Sequence, residues 1–232
     1  MKRTAGIIGG MGPQATIDLF QKIVSNTDSS SDNEHIHIII DNNTDIPDRT
    51  KSILAHSDLP LKYLGQSAKK LESIGADFLA MPCNTAHFFY DRLSKEVNIP
   101  IINMIEETAK VLKENKQKNL LLLATTGTIK TQIYQNIFTK YDLNIITPEN
   151  DFQVEIMSAI YDYVKEGKPY DKVEIFSQYL DKAIENKVDS IILGCTELPI
   201  LFEENNLEYK VIDPTLVLAK AIIKAAVYKL KN

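Results

Sequence analysis

Only two cysteines occur in the 232-residue chain, and both stand in the same kind of place. Cys83 follows the apolar run FLAMP and opens CNT, while Cys195 follows SIILG and opens CTE. A thiol suits proton movement, because its ordinary pKa of about 8.5 lies near working pH and modest tuning makes it acid or base. Short donors follow each sulfur, Asn84 and Thr85 after the first and Thr196 after the second, as befits a turn that holds a carboxylate. A strand end leading into a helix N-terminus favours the thiolate, so both thiols are expected below their ordinary range. Either cysteine alone reads as an ordinary small buried residue. The matched setting of the pair is what points to chemistry. Two thiols on opposite sides of one carbon would let one remove a proton from one face while the other delivers a proton to the opposite face, giving the enantiomer.

The elements that must position these groups are those of an α/β fold, because short apolar runs alternate with segments of helical period. AGIIGG (5–10) reads as a strand, and Pro13 suits the first turn of a helix whose buried face includes Ile17, Phe20 and Val24. IHIII (36–40) is the next strand, and DNNTD (41–45) reads as a turn rather than a cation site, since it has no EF-hand spacing. Leu61, Leu64, Ala68 and Leu71 mark an amphipathic helix over 60–74, ended by Gly75, that delivers the chain into FLAMP. LLLLA (120–124) and NII (144–146) read as strands. A helix with Phe152, Ile156, Ile160 and Val164 on one face follows, then one with Val173, Phe176, Leu180 and Ile184, then the strand SIILG.

The two halves resemble each other. Gln66 precedes Asp77 by eleven residues and Cys83 by seventeen, and Gln178 precedes Asp189 and Cys195 by the same intervals. Each half also opens with a strand running into a small-residue turn and a helix, GIIGGMGPQAT in one and LLLLATTGTIKTQ in the other. The cysteines therefore occupy equivalent places in two copies of one unit. In open parallel sheets ligands sit beyond the carboxyl ends of the strands, which is where both thiols are expected.

Composition excludes several classes. With 44% hydrophobic residues the chain can bury a core, and its net charge of −5 (26 basic against 31 acidic) includes no long basic block, which argues against a nucleic-acid partner. The N-terminal apolar run is too short and too glycine-rich for a signal peptide or membrane span, so a cytoplasmic protein with reduced thiols is expected. Scattered histidines and the lack of CxxC give no support to a metal site. GIIGGMG lacks both the GxGxxG spacing and a P-loop lysine, which argues against dinucleotide and NTP binding.

GGMGPQAT, DIPDRT (45–50), PCNTAH (82–87), GTIKTQIY (127–134) and GCTELP (194–199), in this order across nearly the whole chain, resemble the aspartate/glutamate racemase family, and within it the aspartate racemase branch. The resemblance implies a pyridoxal-phosphate-independent, two-base amino-acid racemase with no cofactor. It implies two similar α/β lobes related by pseudo-two-fold symmetry with the active site between them, often as a homodimer. The first lobe is expected over residues 1–99 with 212–232, and the second over 100–211. Cys83 and Cys195 match the catalytic pair. Asn84, Thr85 and Thr196 match residues that hold the α-carboxylate and amino group, Met11 and Gly12 match the loop lining the cleft, and Thr128 matches a turn residue near the substrate. For aspartate-type members the resemblance assigns the side-chain carboxylate to Arg49 and Lys165, and two cations suit a second carboxylate in a partly dry cleft. Arg49 could instead pair with Asp45 or Asp48 at the surface, and Lys165 could simply favour a helix end before Gly167.

Glu197 stands where glutamate racemases carry histidine, a departure that weakens glutamate as the substrate and favours the aspartate branch. It could orient Cys195 or the substrate amine, or begin a helix. His87 reads as a structural residue within the Cys83 loop, and Gln14, in place of a more usual Glu, begins a helix. The rival readings are another reaction of the wider superfamily, as in hydantoin racemases, maleate isomerases and decarboxylases, and a non-catalytic acidic amino-acid-binding protein.

Overall fold

Every neighbouring strand pair is parallel, and each requires a crossover long enough for a helix. The computed structural model describes residues 1–231 and divides into two compact units, Met1–Glu107 with the stretch from Thr215 onward, and Thr108–Pro214. In chain order the elements are β1 (Ala5–Gly9), α1 (Pro13–Asn26), β2 (Ile38–Asn42), α2 (Arg49–Leu54), α3 (Leu59–Ser73), β3 (Phe78–Ala80), α4 (Tyr90–Leu93) and α5 (Met104–Glu114). Then follow β4 (Asn119–Ala124), α6 (Thr126–Thr131), α7 (Ile133–Phe138), β5 (Asn144–Ile146), α8 (Asn150–Ser158), α9 (Val173–Glu185), β6 (Ser190–Gly194), α10 (Leu198–Glu204), β7 (Val211–Ile212) and α11 (Pro214–Ala225).

Side-chain alternation on β1 sets the layers of the first unit. Ala5 and Ile7 pack on one face with Leu19 and Ile23 of α1 and with Leu218, Ile222 and Ile223 of α11. Ile8 packs on the other face with Leu64, Ala68 and Leu71 of α3. In the second unit Leu121 and Leu123 of β4 and Ile191 and Leu193 of β6 share a core with Phe152 and Ile156 of α8, Phe176 and Leu180 of α9, and Leu201 of α10.

The duplication holds at the level of hydrogen bonds. Strand order is β2-β1-β3 in one unit and β5-β4-β6-β7 in the other, so the strand before each cysteine is an immediate neighbour of the central one. Asp77 accepts the Thr4 N–H on its carboxylate at 2.7 Å and donates its own N–H to the Thr4 carbonyl at 2.9 Å. Asp189 likewise accepts from Lys118 N and Asn119 N at 2.8 and 2.7 Å and donates to the Asn119 carbonyl at 2.7 Å. Four residues before each cysteine, Leu79 N donates to Pro100 O at 2.8 Å and Ile191 N to Lys210 O at 3.0 Å.

Several expectations need correction. The buried face of α1 is Ala15, Thr16, Leu19 and Ile23, whereas Ile17 and Phe20 are exposed and Val24 is half-buried. The Thr16 hydroxyl decides this rotation, because it accepts the Gly10 N–H at 3.0 Å and so turns its side of the helix toward the end of β1. Gly10 itself sits at φ +90° with the Asn43 carbonyl oxygen only 2.3 Å from where a Cβ would stand, so no side chain fits there. β2 begins two residues later than IHIII and takes in Asp41 and Asn42, which were read as turn. Ile184 is exposed near the end of α9, and only Val173, Phe176 and Leu180 of its expected face are buried or half-buried.

The segment after α8 is not a plain continuation of the helix. Residues Ala159–Tyr163 form a π-helical turn and Val164–Glu166 a 3-10 turn that ends at Gly167, φ +66°. On an α-helix a side chain four residues on is displaced by roughly 40° around the axis, so three successive steps, from Phe152 through Ile156 and Ile160 to Val164, would drift off the core. A wider turn restores the alignment and leaves Phe152, Ile156 and Ile160 buried.

Candidate active site

Each unit holds one cysteine-bearing turn. Cys83 lies beyond the end of β3, 6% exposed, and its N–H donates to the Met81 carbonyl at 2.9 Å. Asn84 and Thr85 are also buried, and Thr85–Phe89 is a 3-10 turn. His87 closes this loop. Its Nδ1 lies 2.8 Å from the Cys83 carbonyl and its Nε2 accepts the Met104 N–H at 3.1 Å, so Nδ1 carries the proton and the ring is neutral. Burial holds the imidazole down to about 4, opposed by the Cys83 carbonyl. His87 is thus structural, as its position in the sequence suggested.

Because that pKa lies below the unfolded value of about 6.5, the unfolded chain binds the proton first as pH falls. The stability from neutral His87 is complete above about 6.5 and is lost as pH falls toward about 4. Denaturant unfolding should show a loss of about 3 kcal/mol across that window from this residue, absent in His87→Gln.

On the same unit, Met11 is buried and Gly12 is the N-cap of α1, where an added Cβ would meet nothing within 4 Å. Arg49, the first residue of α2, is buried, 8% exposed. Its guanidinium donates to the carbonyls of Ile46 at 3.2 Å, Pro47 at 3.1 Å and Met11 at 2.9 Å. Asp48 caps α2 by accepting the Lys51 N–H at 2.7 Å.

The second unit gathers four expected residues into one connected group. Cys195, 7% exposed, donates its thiol proton to Glu197 Oε2 at 2.9 Å, and the Thr196 hydroxyl donates to the same oxygen at 3.1 Å. Glu197 Oε1 lies 3.6 Å from Lys165 Nζ, and that ammonium sits 4.5 Å from the centre of the Tyr161 ring. Lys165 reaches this place from the 3-10 turn that follows the π-helical turn. Thr128, fully buried in α6, is held by Thr125, whose hydroxyl oxygen accepts the Thr128 N–H at 3.3 Å and lies 3.2 Å from its hydroxyl.

The expected lowering of both thiols fails for Cys195. Burial and the Glu197 carboxylate push its pKa well up, and only Lys165 and a backbone contact with Glu197 oppose them. The helix that follows Cys195 is short and begins at Leu198, so its dipole is a minor contribution beside a carboxylate in contact with the sulfur. Tyr134 of α7 is fully buried, and its phenol is pushed up by burial, Asp213 and Cys195, which makes it a neutral neighbour of the group. Tyr134, Tyr161, Asp213 and Thr125 were not among the expected site residues. Tyr161 carried a faint signal, one turn before Lys165, and Thr125 another, a hydroxyl three residues before Thr128 at a helix start.

Residues 8–222 match the family model described as Asp/Glu/Hydantoin racemase. The aspartate racemase of Picrophilus torridus is 35% identical, with a TM-score of 0.82 over 99% of this chain and 96% of that one. An aspartate racemase homologue from Pyrococcus horikoshii is 25% identical, with a TM-score of 0.78 over 98% of this chain and all (100%) of that one. The broad specificity amino-acid racemase RacX of Bacillus subtilis is 28% identical over 94% of this chain and 96% of its own length. With the family model covering most of its length and two matched α/β units built around its cysteine turns, the chain belongs to the Asp/Glu/hydantoin racemase family and is an isomerase of the amino-acid racemase kind.

Proposed function

We propose that this racemase interconverts L- and D-aspartate without pyridoxal phosphate or another cofactor, using Cys83 and Cys195 as its two proton-transfer groups. The observation that carries the reading is the equivalent placement of the two thiols, each buried beyond the strand that flanks its unit's central strand. The Picrophilus torridus aspartate racemase, similar over nearly the full length, supports aspartate as substrate. In this reading one thiolate takes the Cα proton, the opposing thiol returns a proton to the other face, and the carbanion is held by donors. Asn84, Thr85 and Thr196 hold the α-carboxylate and amine, Met11, Gly12 and Thr128 line the site, and Arg49 and Lys165 take the side-chain carboxylate. The same reading takes the enzyme to work in the cytoplasm as a homodimer. Among the described residues no helix is long and apolar enough to cross a membrane.

Incubation with L-aspartate in D2O, with no pyridoxal phosphate added, is expected to place deuterium at Cα and to yield the D form. Absence of label with every acidic amino acid tested would sink the reading. The Bacillus subtilis relative named for broad specificity favours a second form of it, in which other amino acids are also substrates. A panel of neutral and acidic amino acids in the same assay, with hydantoins and maleate beside them, separates the two forms and the superfamily alternatives.

A further inference from the structure

The duplication that matches the two cysteines breaks down two residues later, where Thr85 stands in one copy and Glu197 in the other. Glu197 is 7% exposed, and a buried carboxylate is costly unless its oxygens are partnered. One oxygen takes the Cys195 thiol at 2.9 Å and the Thr196 hydroxyl at 3.1 Å, and the other faces Lys165 at 3.6 Å. Titratable groups beside this cluster include Tyr161, whose ring centre lies 4.5 Å from the Lys165 ammonium, and Tyr134 on α7, which interacts electrostatically with Cys195 and with Asp213 before α11. Burial pushes the Tyr134 phenol up, and the acidic side chain in hydrogen-bond contact with the sulfur is that of Glu197.

We propose that Glu197 is the proton acceptor of Cys195 and not a ligand of the substrate, with Lys165 facing the carboxylate oxygen that the thiol does not use. The proposal rests on the racemase reading above. When Cys195 must act as base, its S–H bond breaks and a Glu197 O–H bond forms, leaving a thiolate beside a neutral carboxyl. The thiolate then takes the Cα proton and becomes a thiol again, and Glu197 loses its extra proton to solvent as Cys83, having given one to Cα, regains one. In the opposite direction Cys195 starts as a thiol and gives its proton to Cα directly, and the ammonium of Lys165 offsets the two negative charges left behind. The Cys83 turn has no carboxylate at the equivalent position, so the two thiols, alike in backbone setting, differ in where their protons go.

Two measurements on Glu197→Gln in the full-length enzyme test this. Turnover, followed as deuterium entry at Cα of aspartate, is expected to fall at least about 100-fold, because the amide keeps an acceptor oxygen but cannot take a proton. In a Cys83→Ser background, where Cys195 is the sole thiol, the pH midpoint of alkylation by iodoacetamide is expected to drop by about one unit or more, since the carboxylate that disfavours the thiolate is gone. A thiolate that forms more easily yet turns over more slowly is a signature that a packing role does not produce. Turnover within about threefold of the unsubstituted enzyme overturns the assignment whatever the midpoint does. A large loss with an unmoved midpoint overturns it as well.

Should Glu197→Gln fail to fold, Glu197→His supplies a different acceptor. It is expected to exceed the folded Glu197→Ala variant at least about tenfold, with the acid limb of kcat/KM moved toward about 6.5. A histidine variant as slow as the alanine one overturns the proposal. If the unsubstituted enzyme exchanges no Cα proton at all, the racemase reading falls, and the alkylation midpoints still decide whether Glu197 and Cys195 share a proton.

Discussion

Cys195→Ser and Cys83→Ser are each expected to slow aspartate racemisation by about 10³-fold or more while leaving the fold unchanged. A hydroxyl replaces a thiol with little change of volume at positions only 7% and 6% exposed, and at position 195 it keeps a donor for Glu197 at nearly the same place. What it loses is acidity, so the substituted position can supply neither the anion that takes the Cα proton nor the acid that returns one. Because the enantiomers are equal in free energy, kcat/KM must fall by the same factor in both directions. Exchange without inversion is the more telling readout. Each single variant retains one thiol, so in D2O it should still wash the Cα proton out of one enantiomer in preference to the other, and the two variants should prefer opposite enantiomers. Circular dichroism and thermal unfolding check that the fold persists. An ordinary racemisation rate in either variant refutes the two-thiol assignment.

The features that sequence made legible are those set by local pattern, and the rest depend on contacts between residues far apart in the chain. The equal spacing of Gln66, Asp77 and Cys83 with Gln178, Asp189 and Cys195 carried the duplication, because both aspartates do the same job, closing the start of a central strand through backbone N–H groups. The face of α1 was misread because two apolar stripes fit the helical period. The larger residues, Ile17 and Phe20, favoured one stripe, while the Thr16 bond to Gly10 selected the other, and nothing in periodicity weighs a single hydroxyl against two large side chains. The raised thiol of Cys195 was misjudged for a similar reason. A strand followed by a helix start predicts a field that favours the anion, but Glu197 folds back onto the sulfur and Lys165, thirty-two residues earlier, reaches only its far oxygen. That approach is made by the π-helical turn, for which the only trace in sequence was an apolar repeat stepping by four.

Arg49→Met is expected to reduce turnover about 100-fold or more and to cost about 2–4 kcal/mol of stability, and its pattern across substrates separates two roles for this residue. As a ligand of the side-chain carboxylate, Arg49 would matter for aspartate and little for an amino acid without a second carboxylate. As the geometry stands, three of its hydrogen bonds go to the carbonyls of Ile46, Pro47 and Met11, which ties the start of α2 to the loop before α1. A guanidinium has five N–H donors in a fixed fork, so holding this loop and meeting a carboxylate are compatible, but losing the fork leaves buried carbonyls short of partners in either case. A displacement of about 1 Å at Met11 and Gly12 is enough to cost two orders of magnitude when reacting groups must be aligned. Turnover of a neutral amino acid should therefore fall along with that of aspartate, and urea unfolding should report the lost stability. Arg49→Lys keeps the charge but not the fork, and it is expected to recover little of either. A loss confined to dicarboxylates, with stability unchanged, would show that Arg49 acts on the substrate alone and that the Met11 loop holds its shape without it.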